Sequence, residues 1–353
     1  VDGFHADAVR WISKDPQLRD DPLAAHCPDE QSVQSFDDLQ HKYSRFWENL
    51  FPYLRELTDV VASYDDRIMI FEDYPDGNYG TQEQYLGFYG VNPDVSMPFN
   101  FEGLSAKFSA ESFSTMVNEF QGMINPDIHT PVYCFSNHDQ ARIATRYGGT
   151  EQARLVALMQ LTLPGLPVVY YGDEIGMTNA PIRFDEIQDK SVFSHGNDES
   201  VGRDPERTPM QWTGEKNAGF SQAKPWLPVD PISKKVNVNV EQHDPDSFFA
   251  LYQRLLKLRS RYEILRLGEH EPIGDAGDDI FAYARWIGKE QHVFVALNFS
   301  EEMRRVTLPH AGFVLCSTHP VDYPAIGANG VVTLRPYEGV LVECSEHRLQ
   351  CDN

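Results

Sequence analysis

The chain of 353 residues carries 30 basic and 53 acidic side chains, a formal net charge of −23. That field repels a nucleic-acid backbone or an anionic membrane, so neither is expected as a partner, and it suits a soluble enzyme acting on a neutral small molecule. A hydrophobic fraction of 41% with 12% aromatics supports a packed core and excludes disorder, and the length fits one large domain plus a smaller one. Cys27, Cys134, Cys316, Cys344 and Cys351 are odd in number and show no regular spacing. A disulfide framework or zinc site is not expected, and a reducing, cytoplasmic compartment is. No apolar run approaches the roughly 18 residues of a membrane span. The chain opens on Val1 in strand-like residues without an initiator Met, from which a fragment is expected.

Hydrophobic and small residues alternate from Val1 to Asp7, a short strand ending in a carboxylate. From Ser35 to Tyr64 the pattern is helical, with Tyr53, Leu57, Val60, Val61 and Tyr64 on one face, closed by Asp65-Asp66. Ile68-Met69-Ile70-Phe71 is an unbroken apolar run, as for a strand covered on both faces, and ends in Glu72-Asp73 before a turn at Pro75-Asp76-Gly77-Asn78. Residues 97–101 form a weaker strand. Ser109 then caps a helix with Phe113, Met116, Val117 and Phe120 on one face. Residues 132–136 read as a strand delivering Asn137-His138-Asp139. Thr150 caps a helix with Leu155, Leu158, Met159 and Thr162 inward, and the run from Pro167 to Tyr171 makes a strand before Gly172-Asp173-Glu174.

This alternation is the signature of a parallel sheet with crossover helices. From about 177 to 232 periodicity disappears, but Trp212, Phe220 and Trp226 favour an ordered, functional loop. A helix follows with Phe248, Leu251, Tyr252, Leu255 and Leu256 on one face, ending near Leu267-Gly268. Beyond it come short alternating runs at 280–286, 293–298, 305–308, 331–334 and 340–343, a small antiparallel β domain. The expected fold is therefore α/β over 1–267, followed by an all-β domain over 268–353.

Asp7, Glu72 and Asp139 each close a strand. Alone, each reads more readily as a cap or turn residue; three in successive strand-end contexts point to catalysis instead. If the sheet curls into a barrel, the C-terminal ends of its strands converge on one face, where such a fold keeps catalytic groups. Acids gathered there raise one another's pKa, so that one stays protonated while another is ionised, as acid-assisted glycosidic cleavage requires.

The motifs around these acids resemble those of the α-amylase-type glycoside hydrolases, glycoside hydrolase family 13. Gly3-Phe4-His5-Ala6-Asp7-Ala8 resembles the nucleophile region, Phe71-Glu72-Asp73-Tyr74 the acid/base region, and Phe135 to Arg142 the fourth signature. Thr162 to Met177 is similar to the eighth barrel strand. Arg203 to Trp212, with Asn217-Ala218-Gly219-Phe220, resembles the loop of the α-glucosidase and oligo-1,6-glucosidase branch. The resemblance covers most of the chain and fades in the β domain. It implies a (β/α)8 TIM barrel, present here from about its fourth to its eighth strand. It also implies Asp7 as nucleophile, Glu72 as general acid/base and Asp139 as stabiliser of the transition state, with retention of configuration. Substrate contacts are implied for His5, His138 and Arg142 and for Arg203 or Arg207, between which the motif does not choose. No cofactor is implied; a family calcium site would lie in the part before Val1.

Two departures matter. The family has Arg where His5 stands, and a titrating imidazole in place of a permanent cation is expected to reduce or acid-shift activity. Three barrel strands are missing, which leaves sheet edges unpaired, so residues 1–353 alone are expected to be unstable and inactive. Ala8, after the nucleophile, leans towards α-1,4 rather than α-1,6 linkages by resemblance. A trehalose-synthase or sucrose-type isomerase or transglycosylase shares all these motifs, and a non-catalytic relative is the alternative from another class.

Overall fold

The computed structural model describes residues 1–33, 36–46, 48–73, 82–274, 276–288, 291–320, 323, 326 and 329–344. The chain divides into two compact units, one of residues 1–101 with 123–132 and the other of residues 102–122 with 133–353.

The first unit is built on a three-stranded parallel sheet in the order β1 (Gly3–Ala6), β2 (Ile68–Phe71), β3 (Ser96–Pro98). Helix α1 (Leu50–Ala62) precedes β2 and α2 (Gln82–Gly90) precedes β3. Their shared core is Val9, Leu50, Leu54, Val61, Met69, Phe71, Phe88, Val91 and Val95. β2 coincides with the apolar run, because a strand covered on both faces needs no alternation. The helical reading from Ser35 is corrected: the regular helix begins at Leu50, since His41 (φ 49°) and Phe46 (φ 54°) adopt left-handed backbone that no α-helix contains. Its buried face is Leu50, Leu54, Thr58 and Val61, whereas Tyr53, Leu57, Val60 and Tyr64 are exposed. α1 carries two apolar stripes of the same 3.6-residue period, and period alone does not say which one meets the sheet. The turn at Pro75-Asp76-Gly77-Asn78 lies outside the described residues.

The second unit begins with the single turn α3 (Glu102–Ser105) and α4 (Ala110–Met123). The Ser109 hydroxyl accepts from Ser112 N at 3.1 Å, and Phe113, Met116, Val117 and Phe120 are buried as the pattern required. β4 (Val132–Cys134) pairs with β5 (Leu166–Val168) in a two-stranded sheet separate from β1–β3, rather than in one continuous sheet. Between them run the short α5 (Ile143–Arg146) and α6 (Thr150–Thr162), the latter buried at every position from Leu155 to Thr162. The cap residue of α6 is Gly149; Thr150 is already helical. The long segment after β5 is ordered by 3-10 turns, α7 (Lys190–Ser194) and α8 (Val238–Glu241) and contains no strand. Helices α9 (Phe248–Arg261) and α10 (Glu263–Leu267) close this part, with Leu256 exposed and the other predicted apolar positions of α9 buried.

The β part is antiparallel, in the order β10 (Gly312–Ser317), β12 (Gly339–Cys344), β8 (Gln291–Asn298), β7 (Ile280–Ile287), β6 (Glu269–Pro272). β9 (Arg304–Thr307) and β11 (Val331–Leu334) form a second pair. The pattern missed β6, whose Glu-His-Glu-Pro has no apolar alternation, and β10, whose run is broken by a bulge between Val314 and Cys316. No helix among the described residues is long and apolar enough to cross a membrane.

Buried polar chains join this sheet to the helices. Tyr283 Oη lies 2.6 Å from Thr162 Oγ1 at the end of α6. Arg285, fully buried, donates to the carbonyls of Thr162, Leu265, Gly268 and Glu269, and Arg259 to those of Leu161, Leu163, Gly165 and Leu265. Burial first, then the nearby Arg259 charge, pulls Arg285 down to about 10, still protonated at neutrality. Each buried acceptor left without its donor costs roughly 1–3 kcal/mol. Arg285→Leu is therefore expected to lower the unfolding free energy by about 3 kcal/mol or more in urea titration, and a loss below about 1 kcal/mol would contradict this role.

Candidate active site

In the first unit, β1 and β2 pair in the register that sets Ala6 opposite Phe71. The next residues, Asp7 and Glu72, therefore leave two adjacent parallel strands at the same level. Glu72 N donates to Ala6 O at 2.9 Å, and Val9 N donates to Glu72 O at 3.2 Å, which continues the pairing past both acids. Directly after Asp7 the chain turns through Ala8 (φ 47°, ψ 43°) into a 3-10 turn at Val9–Trp11. Left-handed backbone at a non-glycine residue is costly, and such strain collects at functional sites. Asp7 is exposed; Glu72 is buried.

His5 faces Ile70 across the ladder, and Glu72 is two residues further along the same face. Its Nε2 stands 2.8 Å from Glu72 Oε2, with side-chain exposures of 46% and 6%. Its ring also packs edge-on against Phe99 at 5.2 Å. His5, implied as a substrate contact, is thus bonded directly to the acid Glu72. Next to Glu72, Asp73 accepts from Arg10 Nε in a nearly buried ion pair. Sequence reading missed that pair, because two charged residues 63 positions apart leave no periodic signal.

In the second unit, β4 runs into Phe135-Ser136 and then into a tight turn in which Asn137 Oδ1 accepts from Asp139 N at 3.0 Å. Asp139 Oδ1 receives two guanidinium groups, Arg203 Nη1 at 2.9 Å and Arg207 Nη2 at 2.7 Å. His138 Nε2 is 3.5 Å from the same oxygen, and His138 O accepts from Arg207 Nε at 2.7 Å. The structure therefore brings both candidate arginines to one carboxylate. Arg203 is further held by Asp189, a residue the sequence did not mark, whose Oδ2 accepts from Arg203 Nε at 2.9 Å and Arg203 N at 3.1 Å. Burial pushes the Asp189 carboxyl up, but the bonds from Arg203 and Ser191 outweigh it and hold the group well below the usual carboxylate range.

Arg142, named as a substrate contact, is fully buried. Its guanidinium donates to Tyr171 O at 2.6 Å and Glu206 O at 2.8 Å, and lies over the rings of Tyr170 and Tyr171. It fastens the β5 end to the loop that carries Arg203 and Arg207, and so is corrected from a sugar contact to an internal brace. Gly172 (φ +88°) is required beside it: a Cβ there would meet Met177 Sδ at 2.4 Å and Arg142 Nη1 at 2.9 Å. No group of three or more His, Cys, Asp or Glu side chains suited to a metal ion stands together among the described residues.

The model of the alpha-amylase family, described as the alpha amylase catalytic domain, matches residues 1–268. The chain belongs to the alpha-amylase family. Its fold is accordingly that family's TIM-barrel catalytic domain with an antiparallel all-β C-terminal sheet. Among alpha-amylase relatives, Maltase 1 of Drosophila virilis is 33% identical over 97% of this chain and 56% of its own length. An oligo-1,6-glucosidase of Bacillus cereus is 30% identical over 97% of this chain and 65% of its own length. Among solved structures, the trehalulose synthase of Pseudomonas mesoacidophila MX-45 superposes with a TM-score of 0.81 at 25% identity, over 97% of this chain and 65% of that one. The chain thus spans between about half and two thirds of the length of these alpha-amylase relatives.

Beneath the Asp139 turn, Ser136 Oγ donates to Asp173 Oδ1 at 3.3 Å, while Asp173 Oδ2 has no hydrogen-bond partner among the described residues. Burial raises this carboxyl from 3.8 to about 7, against the pull of Arg142 and with a push from Glu174. A carboxyl that binds its proton more tightly folded than unfolded contributes stability that is complete below about pH 4 and is lost as pH rises through about 7. Asp173→Asn removes that loss. In urea unfolding at pH 5 and pH 8, the variant is expected to gain roughly 1–3 kcal/mol relative to the parent between the two. A difference that does not change with pH would contradict the buried titration.

Proposed function

We propose that this protein is a retaining α-glucosidase-type hydrolase acting on short α-glucosides, with α-1,4 linkages favoured. Asp7 attacks the anomeric carbon to form a β-glycosyl ester, and Glu72 protonates the leaving glycosidic oxygen. Glu72 then takes a proton from the water that cleaves the ester. Asp139 stabilises the oxocarbenium-like transition state, with His138, Arg203 and Arg207 binding sugar hydroxyls. The observation that carries the reading is the register of β1 on β2, which sets Asp7 and Glu72 at the same level on neighbouring parallel strands; a retaining pair needs its carboxyls roughly 5–5.5 Å apart. A retaining enzyme must also switch its acid to a base within one turnover. The imidazole of His5 against Glu72 supports a residue 5 that tunes this switch, where the family's Arg carries a fixed charge. The linkage reading rests on the resemblance, in which a small residue such as Ala8 after the nucleophile goes with α-1,4 bonds.

By the same reading, β1 to β5 are the fourth to eighth strands of the family's barrel, and the catalytic domain ends near 267, next to the start of β6 at Glu269. A reducing, cytoplasmic setting is supported by Cys27, Cys316 and Cys344, whose thiols are buried and in no disulfide among the described residues. The likeness to trehalulose synthase supports a second reading, in which a sugar hydroxyl rather than water resolves the ester.

Following maltose, isomaltose and sucrose by proton NMR tests all of this at once. Maltose is expected to release α-glucose before mutarotation and to react faster than isomaltose, and Glu72→Gln should lose about 10²- to 10⁴-fold in rate. First-formed β-glucose from sucrose, or from maltose in excess of the β-anomer its own reducing end carries, would contradict retention, and much faster isomaltose cleavage would overturn the linkage. Isomeric disaccharide in place of free glucose would favour the second reading.

A further inference from the structure

We infer that Asp189 is a positioning residue for Asp139: its carboxylate fixes the Arg203 guanidinium in the one orientation that meets the Asp139 carboxylate. The inference rests on the reading of Asp139 as the transition-state carboxylate and extends the machinery by a residue outside every recognised motif.

Both oxygens of Asp189 are engaged. Oδ2 accepts from Arg203 N and Nε, and Oδ1 accepts from Ser191 N at 3.0 Å as the cap of α7. The backbone is held as well, because Asp204 Oδ2 accepts from Gln188 N at 2.6 Å and Asp189 N at 2.9 Å. Asp189 is buried, so this carboxylate is a fixed point. Arg203 is 40% exposed and long, with many rotamers open to it in water. A guanidinium is a planar fork: once its Nε edge is set on Asp189, the direction of Nη1 is set too, and it lands on Asp139 Oδ1.

Charge makes the same demand. Arg203 and Arg207 donate to one oxygen of one carboxylate, and two cations on a single anion repel each other. Arg207 is anchored at Nε by the neutral carbonyl of His138, which does nothing to offset that repulsion. Asp189 supplies the second negative charge, so that the row Asp189, Arg203, Asp139, Arg207 alternates in sign and sums to zero. Remove it and Arg203 is expected to swing to solvent, leaving Asp139 in a different charge environment with one of its two guanidinium bonds lost.

Asp189→Asn is the informative change. It keeps the size of the side chain, and an amide whose oxygen stays on Ser191 N turns its NH2 toward Arg203, donor against donor. The full-length protein, with any residues that precede Val1 present, is assayed as the parent, Asp139→Asn, Asp189→Asn, Arg203→Ala and the Asp189→Asn/Arg203→Ala pair, with kcat, KM and melting temperature measured for each. Asp189→Asn is expected to lower kcat about 10- to 100-fold, with KM changed much less and the melting temperature preserved. In the Arg203→Ala background the same change should move kcat less than about twofold, since the group it positions is already gone. A residue that merely capped α7 would cost the same in both backgrounds. An equal loss in both, or an Asp189→Asn enzyme with unchanged kcat, overturns the inference while Asp139→Asn still loses activity. Wild-type kcat in Asp139→Asn would remove the reading of the site itself, and this inference with it.

Discussion

The parallel pairing of β1 with β2 is the constraint on which the chemistry of the first unit depends. Side chains along a strand alternate between faces, so a slip of one residue would turn Glu72 and His5 away from each other and reverse the faces of Phe71 and Met69. The register is enforced from below by packing, as Phe71 is fully buried in the same core as Val9, Leu50 and Phe88. It is enforced along the strand by Gly3, where a Cβ would come within 2.5 Å of Ile68 O, so only glycine lets the two backbones approach. Hydrophobic packing under the strands thus decides where two acids stand at their ends.

The second unit solves a different problem, that of holding polar groups in place without regular structure. Its longest loop has no strand and little helix, and buried side chains take over the ordering that a ladder would provide. Arg142 clasps the carbonyls of Tyr171 and Glu206, Asp204 gathers the amides of Gln188 and Asp189, and Asn237 Nδ2 donates to Ser233 O at 2.7 Å. Each of these polar groups would be costly to bury alone and is bonded by another, although Arg142 Nε and Asp204 Oδ1 have no partner among the described residues. Around Asp139 the direction of the Arg203 and Arg207 guanidinium groups, rather than backbone regularity, sets the electrostatics.

Much of this was legible from residues alone, for reasons that can be stated. β2 and the buried face of α4 were readable because burial on one or both faces writes a period into the sequence, and β11 because its run is flanked by turn residues. Asp7 and Glu72 were legible as carboxylates directly after β1 and β2, whereas Asp139 stands in a turn five residues beyond β4. The buried stripe of α1 was not, since two stripes shared one period and only the sheet could choose between them. Arg142 was misassigned because a motif preserves a residue without saying whether it faces substrate or the interior. The Arg10–Asp73 pair and Asp189 left no trace, since their partners are distant in the chain and ion pairing has no period.

The central claim is that Asp7 carries the sugar through a covalent intermediate. It is tested most directly by incubating the protein with an activated 5-fluoro-α-glucosyl fluoride, which forms such an ester faster than water can cleave it. Peptic digestion and mass spectrometry then locate the label. The account predicts one glycosyl adduct per chain, on the peptide containing Asp7, absent from Asp7→Ala. An adduct on Glu72 or Asp139, or unlabelled protein that nonetheless hydrolyses the reagent, would contradict it.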